Sequence, residues 1–263
     1  MAQPHLESDE PTLDQLKLLA GSADIRDRAF AASSLMLRRN MVDAPTLGAL
    51  YETIRRAARA EHADLHEAIG RKQLDAEALH ARLQAVAPEL HDHFVEELLD
   101  VAYPPLATLP RSSDVTRHSP SGIAELRFML EHARLGPERT LVDLGCGFGK
   151  VVLLTALLTG ARVYGIDLDQ RLIDHARSAA RRLKLDRVEL SAGDIREAPL
   201  PEADVYYMFI PFMRSADVVA RLEPIAARRH IVLFSQALDL GRTPWLRATG
   251  RACYWLEMYE SVT

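Results

Sequence analysis

The run LVDLGCGFGK at residues 141–150 limits what this chain can fold into more than any other stretch. Residues 140–144 have strand character, and the apolar segment 150–158 after the glycines is typical of a buried helix. Glycine allows the dihedrals of a tight turn, and the start of a helix offers unpaired N–H groups to a negative group. The run therefore predicts strand, glycine turn and helix, with an anionic or zwitterionic ligand at the turn.

The spacing of the glycines argues against two common ligand loops. A dinucleotide fingerprint needs its third glycine at position 150, where this chain has Lys150, so the pattern is GxGxG rather than GxGxxG. A Walker loop needs Ser or Thr directly after Gly–Lys, and Val151 stands there. Dehydrogenase and P-loop interpretations therefore lack their required residues.

Carboxylates end the next two predicted strands. The strand at 162–167 ends in Asp167, 22 positions after Gly145, and the strand near Val188 is followed by Asp194. A carboxylate about 20 residues beyond a glycine turn accepts hydrogen bonds from both hydroxyls of a ribose. In a parallel sheet, both carboxylates would lie at the same edge as the glycine turn.

Taken together, these landmarks resemble the class I, seven-strand S-adenosylmethionine (SAM)-dependent methyltransferases over about residues 116–263. The resemblance implies SAM as the cofactor, with Asp143 near its ammonium group, Asp167 on its ribose and Asp194 on its adenine amino group. It also places Leu168 and Ile195 on either side of the adenine. The cofactor-binding residues that the resemblance implies are Asp143, Gly145, Cys146, Gly147, Gly149, Asp167, Leu168, Gly193, Asp194 and Ile195.

The exit of the fourth predicted strand is where this family usually binds the methyl acceptor. Phe209-Ile-Pro-Phe212 lacks the polar first residue that amide-methylating members carry there, which disfavours adenine or glutamine amides. The chain instead resembles the small seven-strand protein-lysine methyltransferases at His118-Ser-Pro-Ser121, Tyr164-Gly-Ile-Asp167 and Met208-Phe-Ile-Pro-Phe-Met213. It departs from them at Asp167, where they have a glutamate, and at 118–121, where they have aromatic-x-Pro-Thr. An aromatic channel of Tyr207, Phe209 and Phe212 would suit an amine, whereas an oxygen acceptor would need a base, for which His118 is the candidate.

We expect an α/β fold, with a doubly wound, mostly parallel seven-stranded Rossmann-like sheet and an N-terminal all-helical domain. Strands and helices alternate from about residue 140, which favours a parallel sheet with its ligand crevice at the carboxyl ends of the strands. Residues 245–262 should supply the closing antiparallel strands, of which 252–261 is the clearer one. Residues 12–102 show apolar residues at helical spacing, including one long helix over 45–69. The predicted domains are 1–110, helices and linker, and 111–263, the methyltransferase domain.

Composition limits the partners and the location. The net charge is −5 and no Lys/Arg-rich block stands out, which disfavours nucleic acid as the acceptor. No signal peptide or membrane span is predicted, and the two cysteines form no disulfide framework, so we expect a cytoplasmic protein. His62 and His66 have i, i+4 spacing, but Ala63 stands where a zincin needs Glu, and we predict no metal site.

The sequence thus predicts a SAM-dependent methyltransferase acting on an amine, with protein lysine as one candidate acceptor. Small-molecule O- or N-methylation remains an alternative. A second alternative is a non-catalytic SAM-binding module, in which the helical half would be the working surface.

Overall fold

The computed structural model describes residues 11–38, 41–101, 121–209, 215–236 and 240–262. The chain forms two compact units, residues 1–63 and 64–263. The domain boundary predicted near residue 110 lies outside the described residues. That boundary stays a prediction.

The described part of the first unit is helical. Each of its helices begins at a polar N-cap, Thr12, Asp24 or Asp43, whose side chain accepts a backbone N–H of the first turn. The buried guanidinium of Arg28 forms an ion pair with Glu61 within this unit. The helices are α1 (Leu13–Ala20), α2 (Ile25–Leu37) and α3 (Ala44–Glu61).

The long helix predicted over 45–69 is wrong. Helix α3 ends at Glu61 with His62 as its C-cap, and a separate helix begins at Ala63. His62 and His66 therefore do not share one helix, and His66 Nε2 lies 2.8 Å from the carbonyl oxygen of Leu98. The apolar positions continue across the break, so their periodicity could not reveal it.

More helices precede the sheet in the chain. They are α4 (Ala63–Gly70), α5 (Ala76–Gln84), α6 (His91–Leu98), which follows the 3-10 turn Pro88–Leu90, and α7 (Ile123–Ala133). Asp92 Oδ1 on α6 accepts a hydrogen bond from the backbone nitrogen of Ile123 at 2.9 Å. The first N–H groups of a helix have no partner within the helix, and here α6 supplies a partner for one of them. The bond thus connects α6 to the first turn of α7.

The sheet has seven strands in the order β3-β2-β1-β4-β5-β7-β6. Pairs among β1 to β5 are parallel, and β7 pairs antiparallel with both β5 and β6. The predicted seven-stranded, doubly wound fold is confirmed. Its strands are β1 (Thr140–Leu144), β2 (Arg162–Asp167), β3 (Val188–Ala192), β4 (Val205–Phe209), β5 (Val232–Gln236), β6 (Leu246–Cys253) and β7 (Leu256–Ser261).

Helices α8 (Lys150–Thr159), α9 (Gln170–Arg182) and α10 (Ser215–Ala226) connect the parallel strands. Apolar side chains of β1, β4 and β5, including Val142, Tyr206 and Leu233, form a continuous buried cluster with Leu222 of α10. Tyr206 is fixed in it because its hydroxyl donates to the carbonyl oxygen of Pro201 at 2.7 Å. The parallel pairing of β1 to β5 places their carboxyl ends at one edge of the sheet.

The closing strands differ in detail from the prediction. The sequence favours Ala252 to Ser261 as the clearer strand, but residues 252–253 belong to β6, and Tyr254 and Trp255 form the turn of a hairpin. Tyr254 adopts φ +53°, a left-handed conformation that favours glycine or asparagine, so its residue type gave no turn signal. Within the described ranges, no helix combines the length and the hydropathy that a bilayer crossing requires.

Candidate functional site

The glycine loop leads from β1 into α8 at the carboxyl edge of the sheet. Gly145, at φ +90°, and Cys146 both donate their backbone N–H to the carbonyl oxygen of Ile166, at 2.8 and 3.0 Å. Among the described residues, nothing lies within 4 Å of where a Cβ on Gly145 would be, so they leave this side of the backbone open. Gly149, at φ +85°, is the N-cap of α8, and a Cβ there would lie 3.0 Å from Ala176 Cβ. The loop thus exposes bare backbone on one side and packs tightly on the other.

Asp167, at the end of β2, is held against the glycine loop. Its Oδ2 accepts the backbone N–H of Gly147 at 2.8 Å, and its Oδ1 accepts that of Asp169 at 2.9 Å. Burial raises the pKa of this carboxyl group, although the two backbone hydrogen bonds act against the increase. The carboxylate is therefore fixed in orientation by the backbone, while the next residue, Leu168, is 41% exposed.

Asp143, in β1, is the other carboxylate beside the loop, and only 2% of it is exposed. Burial raises its pKa well above the usual range, and the nearby charge of Asp167 adds to the increase. Among the described residues, no group forms a hydrogen bond with its buried Oδ2. A buried oxygen without a partner is costly, which marks this position as one that a cationic or hydrogen-bonding ligand would satisfy.

Asp194, after β3, lies at the same edge but already has a partner. Its carboxylate accepts the backbone N–H of Arg196 at 2.9 Å and pairs with the guanidinium, with Nη2 and Oδ2 2.5 Å apart. The residue before it, Gly193, donates its N–H to the carbonyl oxygen of Asp167 at 2.9 Å. Ile195 is buried in the core cluster. The carboxylate of Asp194 is thus held at this edge by contacts with the neighbouring residue Arg196.

Cys146 is buried inside the loop. Burial raises the pKa of its thiol well above the usual value, and the charges of Asp143 and Asp167 raise it further. The thiol form is a weak nucleophile, so this cysteine fits a packing role. A Cβ on Gly165 would lie 2.8 Å from its sulfur, which shows how closely β2 approaches the loop.

The predicted acceptor residues are only partly described. His118 and Phe212 lie outside the described residues, and Phe209, the last residue of β4, is half-buried. Tyr207 is buried, and its hydroxyl donates to Ser121 Oγ at 2.7 Å. Burial raises the pKa of this hydroxyl well above its usual value; the bond to Ser121 opposes the increase, and the charges of Asp143 and Glu125 add to it.

Lys150 is a feature that the sequence analysis missed. It is the first residue of α8, directly after the glycine loop, and is only 3% exposed. Its Nζ pairs with Asp92 Oδ1 at 2.5 Å and with Glu96 Oε1 at 2.9 Å, both on α6. The available signal was a lysine opening an otherwise apolar helix, with two acidic residues four apart on α6. The contact fixes the first turn of α8, and with it the loop, against a helix from the N-terminal half of the chain.

The comparisons with known proteins agree with this arrangement. The family model described as "Methyltransferase domain" matches residues 141–227, from β1 to just beyond α10. The matched segment contains the glycine loop and the two acidic strand ends, Asp167 and Asp194.

Two curated relatives and one solved structure illustrate the similarity. A probable cobalt-precorrin-6B C(15)-methyltransferase (decarboxylating) of Pyrobaculum calidifontis is 38% identical over 91 residues, which are 32% of this chain and 47% of that protein. A probable ribosomal RNA small subunit methyltransferase A of Methanospirillum hungatei is 30% identical over 125 residues, 46% of this chain and 48% of that protein. This chain therefore spans about half the length of these relatives.

The solved structure is that of an RNA methyltransferase from Salinibacter ruber in complex with S-adenosyl-L-homocysteine. It is 30% identical, with a TM-score of 0.45, and the similarity covers 54% of this chain and 92% of that one.

Proposed function

We propose that this chain, which belongs to the class I SAM-dependent methyltransferases, transfers the methyl group of SAM to an amine nitrogen. The observation that carries the proposal is the unpartnered, buried Oδ2 of Asp143 beside an open glycine loop. A carboxylate in this position is stabilised when a cation binds next to it. SAM carries two positive groups, an ammonium and a sulfonium.

The residues at the edge fit SAM as the cofactor. Asp143 would hold the ammonium group, and the open backbone at Gly145 would let the methionine part lie close to the loop. Asp167 already has one hydrogen bond on each oxygen and keeps further lone pairs for the ribose hydroxyls. Exposed Leu168 would cover one face of the adenine.

Two of the expected contacts with the adenine involve side chains that already have partners within the protein. Asp194 is paired with Arg196, so its carboxylate can accept the adenine amino group only with the lone pairs that Arg196 leaves free. Ile195 is buried in the core cluster, so contact with the adenine would use only its outer edge.

When bound, SAM supplies a methyl group on a positively charged sulfur, which is already activated toward a nucleophile. The protein's task is to align the nucleophile and to exclude water. Tyr207 suits that role, because its raised pKa keeps the hydroxyl protonated and the bond to Ser121 fixes its direction. With its proton donated to Ser121, the oxygen of Tyr207 can accept an N–H from the acceptor.

The charges around Tyr207 favour an amine. Glu125 acts on its hydroxyl through its negative charge, and a negative charge at this place attracts a cationic group. A lysine amine, with an ordinary pKa of about 10.4, must lose a proton before it attacks, and burial beside aromatic side chains favours the neutral form. These features support an amine such as a protein lysine, the acceptor of the enzymes that the chain's motifs resemble. The expectation that nucleic acid is disfavoured finds no support in the comparisons, since one relative is named for ribosomal RNA.

The test is transfer of label from methyl-labelled SAM to an extract of the host, counted separately in protein, nucleic acid and small molecules. We expect label in protein that survives base treatment and maps to lysine. Asp167→Ala should reduce the label to background. Asp186→Ala removes an exposed carboxylate on the same unit and should leave the label unchanged.

Other outcomes would contradict the proposal in distinct ways. Label confined to small molecules or to RNA would exclude protein lysine and identify the acceptor class. SAM binding by the wild type with no transfer above the Asp167→Ala background would favour the non-catalytic SAM-binding module. Absence of SAM binding would reject the function altogether.

A further inference from the structure

A second concave site lies at the opposite edge of the sheet from the glycine loop. It is a pocket of about 530 Å³, of a size typical for small-molecule sites. Four arginines line it, and we call it the arginine pocket: Arg134, Arg139, Arg247 and Arg251.

The arginine pocket is separate from the proposed SAM site. Arg139 directly precedes β1, and His230, which also lines the pocket, shortly precedes β5, so this end of the pocket opens at the amino ends of the parallel strands. The glycine loop lies at the carboxyl end of β1. A five-residue strand separates the two ends, a distance of about 16 Å at roughly 3.3 Å per residue.

The charge of the pocket contrasts with that of the chain. The chain carries −5, whereas the pocket has four arginines and one carboxylate, Glu260. Arg247 Nη2 pairs with Glu260 Oε2 at 3.2 Å, so the single acidic group is already engaged. A concave surface with such an excess of one charge concentrates counter-ions of the opposite sign.

The arginines differ in what they contact. Arg139 Nη1 donates to the carbonyl oxygen of Ala133, at 3.0 Å, and in the described part of the chain this arginine forms no ion pair with a carboxylate. Among the described residues, neither Arg134 nor Arg251 forms an ion pair. Arg134 adopts φ +49° as the C-cap of α7 and thus turns the chain at the pocket's rim. The guanidinium groups of Arg134 and Arg251 therefore border the arginine pocket with N–H donors available to a ligand.

The walls favour a compact anion over a nucleic acid strand. His132 and His230 line the pocket, but among the described residues no phenylalanine, tyrosine or tryptophan does. Proteins that bind single-stranded nucleic acids combine a basic groove with aromatic side chains on which bases stack. The described lining of the arginine pocket has no such aromatic side chains. Guanidinium groups that converge on one cavity instead match the paired oxygens of phosphate groups.

We propose that the arginine pocket binds a small ligand that carries a diphosphate group, either free diphosphate or a nucleoside diphosphate. Arg134 and Arg251 supply new hydrogen bonds to the phosphate oxygens, and Arg139 adds positive charge, whereas Glu260 offsets the charge of Arg247. The site does not depend on SAM binding or on methyl transfer.

The experiment is calorimetric titration of the full chain with inorganic pyrophosphate at low ionic strength. We expect saturable binding that weakens as salt is added, because exposed charges are screened. Arg251→Gln and, separately, Arg134→Gln should each weaken binding about tenfold or more, with the unfolding temperature unchanged. Arg181→Gln, at an exposed position of α9, makes the same charge change outside the pocket and should have less than a twofold effect. Titration with a nucleoside diphosphate then distinguishes the two sources of the diphosphate.

Two results would overturn the proposal. One is the absence of saturable pyrophosphate binding at millimolar concentration, or binding that Arg181→Gln weakens as much as the two pocket variants do. The other is tight binding of a single-stranded RNA decamer that depends on Arg251 while pyrophosphate does not bind. That result would assign the surface to a nucleic acid backbone.

Discussion

At the scale of single residues, Asp143 combines burial, proximity to Asp167 and an oxygen to which no described group donates a hydrogen bond. Its raised pKa means that the folded chain binds more protons than the unfolded chain, from the ordinary value near 3.8 up to the folded value. In that range the stability of the ligand-free chain falls as pH rises. A bound cation reverses the effect, because it favours the ionised carboxylate.

This gives the first prediction. The affinity for SAM should rise with pH through the folded pKa of Asp143, with release of a proton on binding. Asp143→Asn should weaken binding by about 10- to 100-fold, the loss expected for a charged hydrogen bond of roughly 1.5–3 kcal/mol. In the Asp143→Asn variant the affinity for SAM should still depend on pH, but less strongly. The remaining dependence comes from Asp167, whose pKa is raised as well. Calorimetry at several pH values, with Asp186→Asn as the control, measures the affinity for SAM and its pH dependence. If Asp143→Asn kept the pH profile of the wild type, Asp143 would not be the group that binds the ammonium of SAM.

Lys150 illustrates a buried charge that is stable only because of its partners. Its ammonium group lies between Asp92, which is 48% exposed, and Glu96, which is 13% exposed. Removing one member of a buried pair leaves the other charged and desolvated, which costs more than the pair contributes.

We therefore expect Lys150→Met to lower the free energy of unfolding by about 2–4 kcal/mol, somewhat less than for fully buried pairs because Asp92 can regain water. Lys17→Met, which breaks the exposed pair with Asp14, should have a much smaller effect on the free energy of unfolding, because water screens exposed charges. Adding Glu96→Gln to Lys150→Met should restore part of the loss. Chemical denaturation measures all three, and equal effects of Lys150→Met and Lys17→Met would show that burial is not the cause.

At the scale of elements, the turn between β1 and α8 uses its glycines for different purposes. Gly145 faces open space with a left-handed φ, whereas Gly165 of β2 sits under the loop, where a Cβ would lie 2.7 Å from Leu190 Cδ2 and 2.8 Å from Cys146 Sγ. The first is needed for conformation and ligand approach, and the second for close packing.

Alanine substitutions should separate these roles. Gly165→Ala should destabilise the fold by about 1–3 kcal/mol through overpacking. Gly145→Ala should mainly weaken SAM binding, since its Cβ would enter the space proposed for the cofactor, with a smaller cost from strain. Gly48→Ala, inside α3 with nothing within 4 Å, should stabilise by about 0.5–1 kcal/mol. Thermal unfolding with and without SAM measures the stability and the SAM binding of the three variants. If Gly165→Ala alone lost SAM binding, Gly165 rather than Gly145 would be the glycine needed for the approach of the cofactor.

At the scale of the whole molecule, the second compact unit includes helices that precede the sheet. Helix α6 holds Lys150 through two carboxylates, and buried Asp100 just beyond it forms an ion pair with Arg182 of α9. Val95, Leu98 and Leu99 have no exposed surface. These contacts make residues 91–101 part of the packing around the glycine loop.

Two fragments test this organisation. Residues 64–263 should fold cooperatively and bind SAM, because they contain the described contacts of the loop. Residues 111–263, cut where the sequence predicts the domain boundary, should unfold more easily or fail to fold, because Lys150 and Arg182 lose their partners. Circular dichroism melts compare the two, and equal stability would support the boundary near residue 110.

The sequence by itself determined the order of strands and helices from residue 140 onward and the edge at which the site forms. Apolar periodicity, glycine spacing and the acids at 167 and 194 are local features, and in a parallel sheet they lead to one edge. Whether those residues bind SAM remains a prediction, as do the roles of His118 and Phe212.

Only the tertiary structure decided which distant groups meet. Lys150 and Asp92 are 58 positions apart, Tyr207 and Ser121 are 86 apart, and the arginine pocket gathers residues from α7, β6 and the turns before β1 and β5. Local propensity contains no information on such pairs, because each contact depends on how whole elements pack. The break at His62 and the hairpin turn at Tyr254 escaped the sequence for a related reason, since neither has glycine, proline or a change of period to mark it.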